Sequence, residues 1–269
     1  MAAPRARLAD GNARLAAARR LTGRQARREA GLFLAEGAQA VREALGRPEV
    51  VVEVFATAEA IERHRQMLTD VPVEEITARA AARLSETVTP QGLVAVCRAV
   101  DVRLGEALAR QPRLVAVLVE PSDPGNAGTI LRTADAAGAD AVVLAGGVDV
   151  YNGKAVRAAA GSHFHLDVVV DAEIDDVLTA VRAAGLTTLA TTGAGTHDLD
   201  TLVDEGSLGR ATAWLFGNEA RGLPEDVVNS ADRSVRVPVH GRAESLNLAA
   251  AAAVCLYASA RAQRPGHPA

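Results

Sequence analysis

From Leu114 onward the chain alternates short aliphatic runs with helical patterns, and this alternation constrains the fold more than any single residue does. LVAVLVE, ADAVVLAG, LDVVV and LTTLATT read as strands, separated by the helical stretches NAGTILRTADAAG, NGKAVRAAAGS and EIDDVLTAVRAAG. AWLFGNE and SVRVPV follow as further strands, and SLNLAAAAAVCLYASARA reads as a closing helix. Strands that are apolar along their whole length are buried on both faces, which predicts an α/β fold with a parallel sheet between helical layers. In such sheets ligands bind in the loops beyond the carboxyl ends of the strands, and the unusual residues of this chain lie in those loops.

The first hundred residues form a less regular α/β pattern. NARLAAARR, RQARREA, AQAVREAL, AEAIERHRQML and ITARAAARL read as helices, and VVVEVFA and GLVAVCRAV as strands. The polar stretch after the last of these predicts a boundary: a first domain over 1–100, a linker over 101–112 and a second domain over 113–269. A length of 269 residues accommodates two such domains. The closing RPGHPA segment is expected to fray.

At 49% hydrophobic and 23% charged residues the composition excludes a disordered or fibrous chain. The longest apolar stretch, Leu246–Ala260, is an Ala-rich run of ordinary helix length, shorter than the roughly 18–20 residues of a membrane span. The N-terminal residues lack the apolar core of a secretory signal, so a cytoplasmic protein with no membrane partner is expected. Cys97 and Cys255 stand alone in apolar segments and are expected to be buried. The six histidines show no metal-ligand spacing, and no metal is expected.

Charge is unevenly distributed. Residues 1–47 hold ten arginines against four carboxylates, so the rest of the chain carries about −10 of a total of −4. A basic end on an acidic body is the pattern of a protein that grips a polyanion with one part only.

Common nucleotide signatures fail. A phosphate-binding loop ending at Gly153-Lys154 needs a glycine and a hydroxyl where Val148 and Ala155 stand. The dinucleotide fingerprint begun by Gly193 and Gly195 meets Asp198 at its third glycine. Zinc-hydrolase and serine-hydrolase motifs are absent from the sequence.

Three strand-end clusters remain. In EPSDPGNAGTILR the Asp123-Pro124-Gly125 turn leads to Asn126, expected to cap the next helix, and then to Arg132 on a helix of small residues. In LFGNEARG, Gly217 and Gly222 flank polar groups and allow a ligand to approach the backbone. In VPVHGRAESLN, Ser245 and Asn247 precede the Ala-rich helix, where capping is the ordinary role of such residues.

Together and in this order, N-x-G-x-x-x-R, L-F-G-N-E-x-x-G and V-P-V-x-G-x-x-x-S-L-N resemble the three motifs of the SpoU (TrmH-type) branch of the SPOUT RNA methyltransferases, over about 113–262. YNGKAVRAAAGSHF resembles the segment that links them, and residues 1–100, with FLAEG and the Thr89-Pro90-Gln91-Gly92 turn, are similar to the ribosomal-protein-like substrate-binding domain often attached to that family. The resemblance implies a trefoil-knotted parallel-sheet domain, a homodimer, and transfer of a methyl group from S-adenosylmethionine to an RNA ribose 2′-hydroxyl.

Carried over residue by residue, it implies cofactor binding by Thr192, Gly193, Ala194, Phe216, Gly217, Asn218, Gly222, Val237, Pro238, Val239, Ser245, Leu246 and Asn247. It implicates Arg132 in activating the hydroxyl, among Asn126, Glu219, Ser245 and Asn247. Because a guanidinium stays protonated, Arg132 is expected to hold a substrate phosphate and stabilise the developing alkoxide rather than act as a base. Arg19, Arg20, Arg24, Arg27 and Arg28 are expected to contact RNA phosphates. Ribosomal RNA is the expected substrate, with transfer RNA the alternative and an inactive RNA-binding assembly factor the reading of another class. Departures from the pattern are Ala249 and Ala159 where serine is usual, and Asp167 where proline is frequent.

Overall fold

A computed structural model describes residues 7–264; the end of the expected frayed tail lies outside them. The chain divides into two compact units. The first runs to Val100 and takes in Asp149–Phe164; the second comprises Asp101–Val148 and the chain from His165 onward.

In the first unit, helices α1 (Ala13–Arg20) and α2 (Arg24–Ala30) precede β1 (Leu32–Glu36), α3 (Ala38–Leu45), β2 (Val51–Thr57), α4 (Ala58–Arg63), β3 (Val73–Ile76), α5 (Ala78–Leu84) and β4 (Leu93–Arg98). Local chemistry sets the boundaries: Asn12, Thr57 and Thr77 cap α1, α4 and α5 by accepting backbone N–H bonds, and Gly31, at φ +61°, ends α2. The four strands lie in the order β1-β4-β2-β3, with β4 antiparallel to both neighbours and β3 parallel to β2. Leu15, Leu21, Phe55, Ile76, Leu84 and Val94 form the core that joins α1 and α5 to one face of this sheet.

The second unit begins with α6 (Leu104–Ala109), β5 (Leu114–Val119), α7 (Pro124–Ala137) and β6 (Ala141–Ala145). The chain then contributes α8 (Gly153–Ala159) to the first unit before returning. It continues with β7 (Asp167–Val169), α9 (Ile174–Ala183), β8 (Thr187–Thr191), β9 (His197–Asp198), α10 (Leu199–Asp204), β10 (Thr212–Phe216), α11 (Glu225–Ser230), β11 (Arg233–Arg236) and α12 (Leu248–Gln263). Seven parallel strands take the order β7-β6-β5-β10-β8-β11-β9. β5, β6 and β10 are buried at every residue, as the unbroken aliphatic runs of β5 and β6 require.

Two boundaries differ from the sequence expectation. The expected linker contains α6, whose Ala107 and Leu108 pack into the same core as Val177, Leu178 and Val181 of α9. Its apolar positions, 104, 107 and 108, have helical spacing that the surrounding charges obscure. Residues 149–164 leave the second unit because their aromatic side chains pack within the first: the Tyr151 ring lies 4.6 Å from Phe33, and the Tyr151 hydroxyl accepts the Val100 N–H at 2.9 Å. Cys97 and Cys255 are both buried, and burial raises both thiol pKa values, that of Cys97 to about 12. No helix among the described residues is long and apolar enough to cross a membrane.

Candidate active site at the strand ends of the second unit

The site is built where β5, β8, β10 and β11 run out. After β5 the backbone turns at Glu120, which adopts φ +47°, and reaches Asp123. Asp123, rather than the expected Asn126, caps α7: its carboxylate accepts the Asn126 N–H at 2.8 Å, and Pro124 occupies the first turn. The Asn126 side chain is therefore free to act at long range. Its Nδ2 donates to Glu219 Oε1 at 3.0 Å, and its Oδ1 accepts from Asn247 Nδ2 at 3.2 Å.

Glu219 is held from several sides. Its Oε2 accepts from the Ser122 N–H at 2.8 Å and the Ser122 hydroxyl at 2.6 Å, while Oε1 also accepts from the Asp123 N–H at 3.1 Å. Partial burial pushes its pKa up, but the hydrogen bonds from Ser122 and Asn126 outweigh this and hold the carboxyl at about 2. Asn247 caps α12, accepting from Ala249 N at 2.9 Å and Ala250 N at 3.4 Å. One hydrogen-bonded chain thus joins the loops after β5 and β10 to the start of α12.

The loop after β10 folds on itself through reciprocal backbone bonds between Asn218 and Gly222, at 3.0 and 2.8 Å. The Asn218 amide donates to the Glu120 carbonyl at 2.8 Å, and its Oδ1 accepts from Ala220 and Arg221. A Cβ at Gly217 would overlap the backbone of Gly222 and Leu223, and one at Gly195 would overlap that of Val235 and Arg236. Phe216 is fully buried beside Trp214, so only its backbone can face a ligand.

Beyond β8 and β11 lies a cavity of about 510 Å³, within the roughly 300–1,000 Å³ of small-molecule sites. Thr192, Gly193, Val237, Pro238, Val239, Ser245 and Leu246 line it, all of them sequence-expected. Ala194, Phe216, Gly217, Asn218, Gly222 and Asn247 are not among its lining residues. Asp198, Arg236 and Glu244 do line it and were missed; Asp198 stands where the failed dinucleotide fingerprint drew attention, which was the available signal. Asp198 is paired with Arg236 at 3.2 Å, and apolar Val237, Val239 and Leu246 beside the Glu244 carboxylate suit a ligand that combines a nucleobase with cationic and hydroxyl groups. These residues therefore fit S-adenosylmethionine.

Arg132 lies further along α7, exposed, its guanidinium without a hydrogen bond or ion pair to any described residue. In the first unit Arg19, Arg20, Arg24 and Arg28 are exposed. Arg27 is not: it is 5% exposed, its guanidinium bonded to Asp149 at 2.6 and 2.8 Å and to the Leu21 and Thr22 carbonyls at 2.8 and 2.7 Å. That sets Arg27 apart from the expected RNA contacts, because a buried guanidinium with four of its five N–H donors already engaged is turned away from a phosphate in solvent.

Comparison with known proteins supplies the family. Residues 113–257 match the SpoU rRNA methylase family, and residues 12–95 match the MRM3-like substrate-binding domain. A 23S rRNA (guanosine(2553)-2′-O)-methyltransferase of Bacillus subtilis is 35% identical over 89% of this chain and 92% of its own. A 23S rRNA (uridine(2479)-2′-O)-methyltransferase of Streptomyces viridochromogenes is 34% identical over 98% and 94%. Among solved structures, an AdoMet-bound rRNA methyltransferase from Sinorhizobium meliloti superposes with a TM-score of 0.80 at 31% identity, covering 93% of this chain and 94% of that one. With its three motif loops tied into one hydrogen-bonded site, and with matches that span nearly its whole length, the chain belongs to the SpoU family of RNA 2′-O-ribose methyltransferases.

Proposed function

We propose that this S-adenosylmethionine-dependent methyltransferase modifies a ribose 2′-hydroxyl of ribosomal RNA, with the cavity beyond β8 and β11 as the cofactor site. The observation that carries the reading is the chain Ser122–Glu219–Asn126–Asn247, which connects three strand-end loops and ends one residue from cavity-lining Leu246. Ribosomal rather than transfer RNA is favoured because both near-full-length relatives named above act on 23S rRNA. The match over residues 12–95 and the exposed arginines support assigning the first unit to RNA recognition and the second, α6 included, to catalysis.

When bound, the cofactor supplies a methyl group activated on a sulfonium. Val237, Val239 and Leu246 cover apolar ligand surface, while Glu244 presents negative charge to a cationic ligand; the Asp198 carboxylate is paired with Arg236 at 3.2 Å. Thr192, Gly193 and Ala194, the backbone from Phe216 to Asn218, Gly222, and Ser245 to Asn247 complete the proposed cofactor set. Arg132 binds a substrate phosphate and stabilises the alkoxide as it forms, and solvent or that phosphate takes the proton. Glu219, held ionised by its donors, fixes loop geometry instead of moving protons.

A trefoil knot formed by the last strands and α12 agrees with the bare backbone crossings at Gly195 and Gly217. A homodimer is supported by Val254 and Tyr257, which α12 leaves exposed at 44% and 53%. We place the reaction in the cytoplasm, with its ribosomal substrate.

The test combines the protein with radiolabelled S-adenosylmethionine and either ribosomal or transfer RNA. Label in ribosomal RNA alone, lost in Arg132→Ala while calorimetric cofactor binding persists, is the expected result. Label in transfer RNA alone overturns the substrate, and absence of cofactor binding overturns the cavity assignment. Near-full turnover by Arg132→Lys would remove the bidentate role of the guanidinium.

A further inference from the structure

A second cavity, of about 410 Å³, lies in the first unit between α1 and α5, far in sequence from the methyltransferase motifs. Its floor is apolar, formed by Leu15, Ala80 and Leu84, each no more than 5% exposed. Its rim carries Arg19 and Arg20 from the last turn of α1 and Arg83 from the last turn of α5. None of these three guanidiniums has a hydrogen bond or ion pair with a described residue. The carboxylate at the rim, Asp10, is already engaged: it accepts the Thr77 hydroxyl at 2.6 Å and lies 3.9 Å from Arg79.

Cations at helix C-termini ordinarily complement the helix dipole on a solvated surface. Here the two helix ends converge, so three arginines crowd one concavity although like charges repel. An anion relieves that repulsion, and the apolar floor beneath them gives the site a second requirement that a simple phosphate does not meet. Unstacked bases of RNA stack on guanidinium planes, and extruded bases also pack against apolar side chains, with phosphates on arginines.

The geometry points to this cavity as a seat for one unstacked nucleotide of a single-stranded segment of the RNA substrate, with its base on Leu15, Ala80 and Leu84 and its flanking phosphates on Arg19, Arg20 and Arg83. The inference rests on RNA being the substrate of this chain. It adds Arg83, which lies outside the Arg-rich N-terminal run, to the residues that bind RNA. It also makes the first unit selective for looped over paired RNA.

The experiment measures fluorescence anisotropy of the full chain with a single-stranded oligoribonucleotide and with a duplex of equal length, across a salt series. Arg83→Gln is expected to weaken single-strand binding about tenfold and to reduce the slope of log affinity against log salt by roughly 0.7, the contribution of one phosphate. Ala16→Trp, at an exposed position lining the same cavity, fills the base site without altering charge. It is expected to weaken single-strand binding while leaving the salt slope and duplex binding unchanged.

Unchanged affinity and slope in Arg83→Gln overturn the proposal, as does an equal loss for duplex and single strand in Ala16→Trp. Methyl transfer to ribosomal RNA by the unaltered chain is assayed in parallel. Transfer with no effect of either variant on the KM for RNA removes this seat alone, whereas no transfer to any RNA removes the reading on which it rests.

Discussion

Asn247 donates from Nδ2 to Asn126 Oδ1 at 3.2 Å, and Asn126 donates in turn to Glu219 at 3.0 Å, so a single amide joins the cap of α12 to a carboxylate in the loop after β10. The amide both accepts and donates at that position, which an ionised carboxylate cannot do. Asn126→Asp keeps the acceptor but turns a second carboxylate toward Glu219. The variant is expected to be less stable than the parent at pH 7 and to recover much of the difference near pH 4, where the pair shares a proton. Thermal melts at the two pH values check this; an equal deficit at both would remove the electrostatic explanation.

Glu219 itself titrates in a definable window. Its native pKa of about 2 lies below the ordinary 4.5, so its stabilising contribution is complete above about pH 4.5 and is lost as pH falls toward 2. Glu219→Gln leaves one acceptor oxygen for four donors and is expected to cost roughly 1–3 kcal/mol at pH 7. Urea titrations at pH 7 and pH 3 should show the gap between variant and parent narrowing on acidification.

Gly217 is needed because of backbone proximity, since its Cβ position overlaps Gly222 and Leu223. Gly217→Ala is expected to displace the 217–222 loop at a cost of about 1–3 kcal/mol. Calorimetric affinity for S-adenosylmethionine should fall with it. Unaltered affinity would show that this loop is not part of the cofactor site.

Much of this site was legible because its residues cluster at strand ends whose aliphatic runs are unmistakable. Asn126 in the first turn of α7, Glu219 in the loop after β10 and Asn247 at the cap of α12 are far apart in sequence, and the parallel topology brings them together. Their individual roles were less legible: whether Asp123 or Asn126 caps α7 depends on which backbone N–H each side chain reaches, and both residue types can cap. Arg27 shows the same limit from the other side. Within RQARREA it is indistinguishable from Arg24 and Arg28, and only the return of the chain at Asp149, more than a hundred residues later, turns it inward. α6 was masked by charge, and β3, α10 and α11 are too short for their periodicity to register.

That inward turn makes Arg27 a stability residue. Arg27→Ala leaves Asp149 without its cationic partner and the Leu21 and Thr22 carbonyls without their donors, at a cost of about 3–5 kcal/mol. Arg28→Gln, at an exposed position, should change stability by less than about 0.5 kcal/mol. Denaturant midpoints distinguish the two, and RNA affinity should rank them in the opposite order when measured at a temperature where both are folded.

His163 gives the first unit an acid limit. It is fully buried, its Nε2 lies 2.9 Å from the Val150 carbonyl, and the Phe33 and Tyr151 rings lie 6.0 and 5.7 Å away. Burial drives its pKa from the ordinary 6.5 down to about 4, more than the Val150 contact and the charge of Asp149 raise it. Because the native pKa lies below the unfolded one, between these values the unfolded chain binds a proton that the folded chain does not. Stability therefore falls as pH drops from about 6.5 to about 4, by about 3 kcal/mol from this group. His163→Gln retains a donor for the Val150 carbonyl and cannot titrate. Its unfolding free energy should change less steeply across that range than the parent's, and parallel curves for the two proteins would assign the acid sensitivity to other groups.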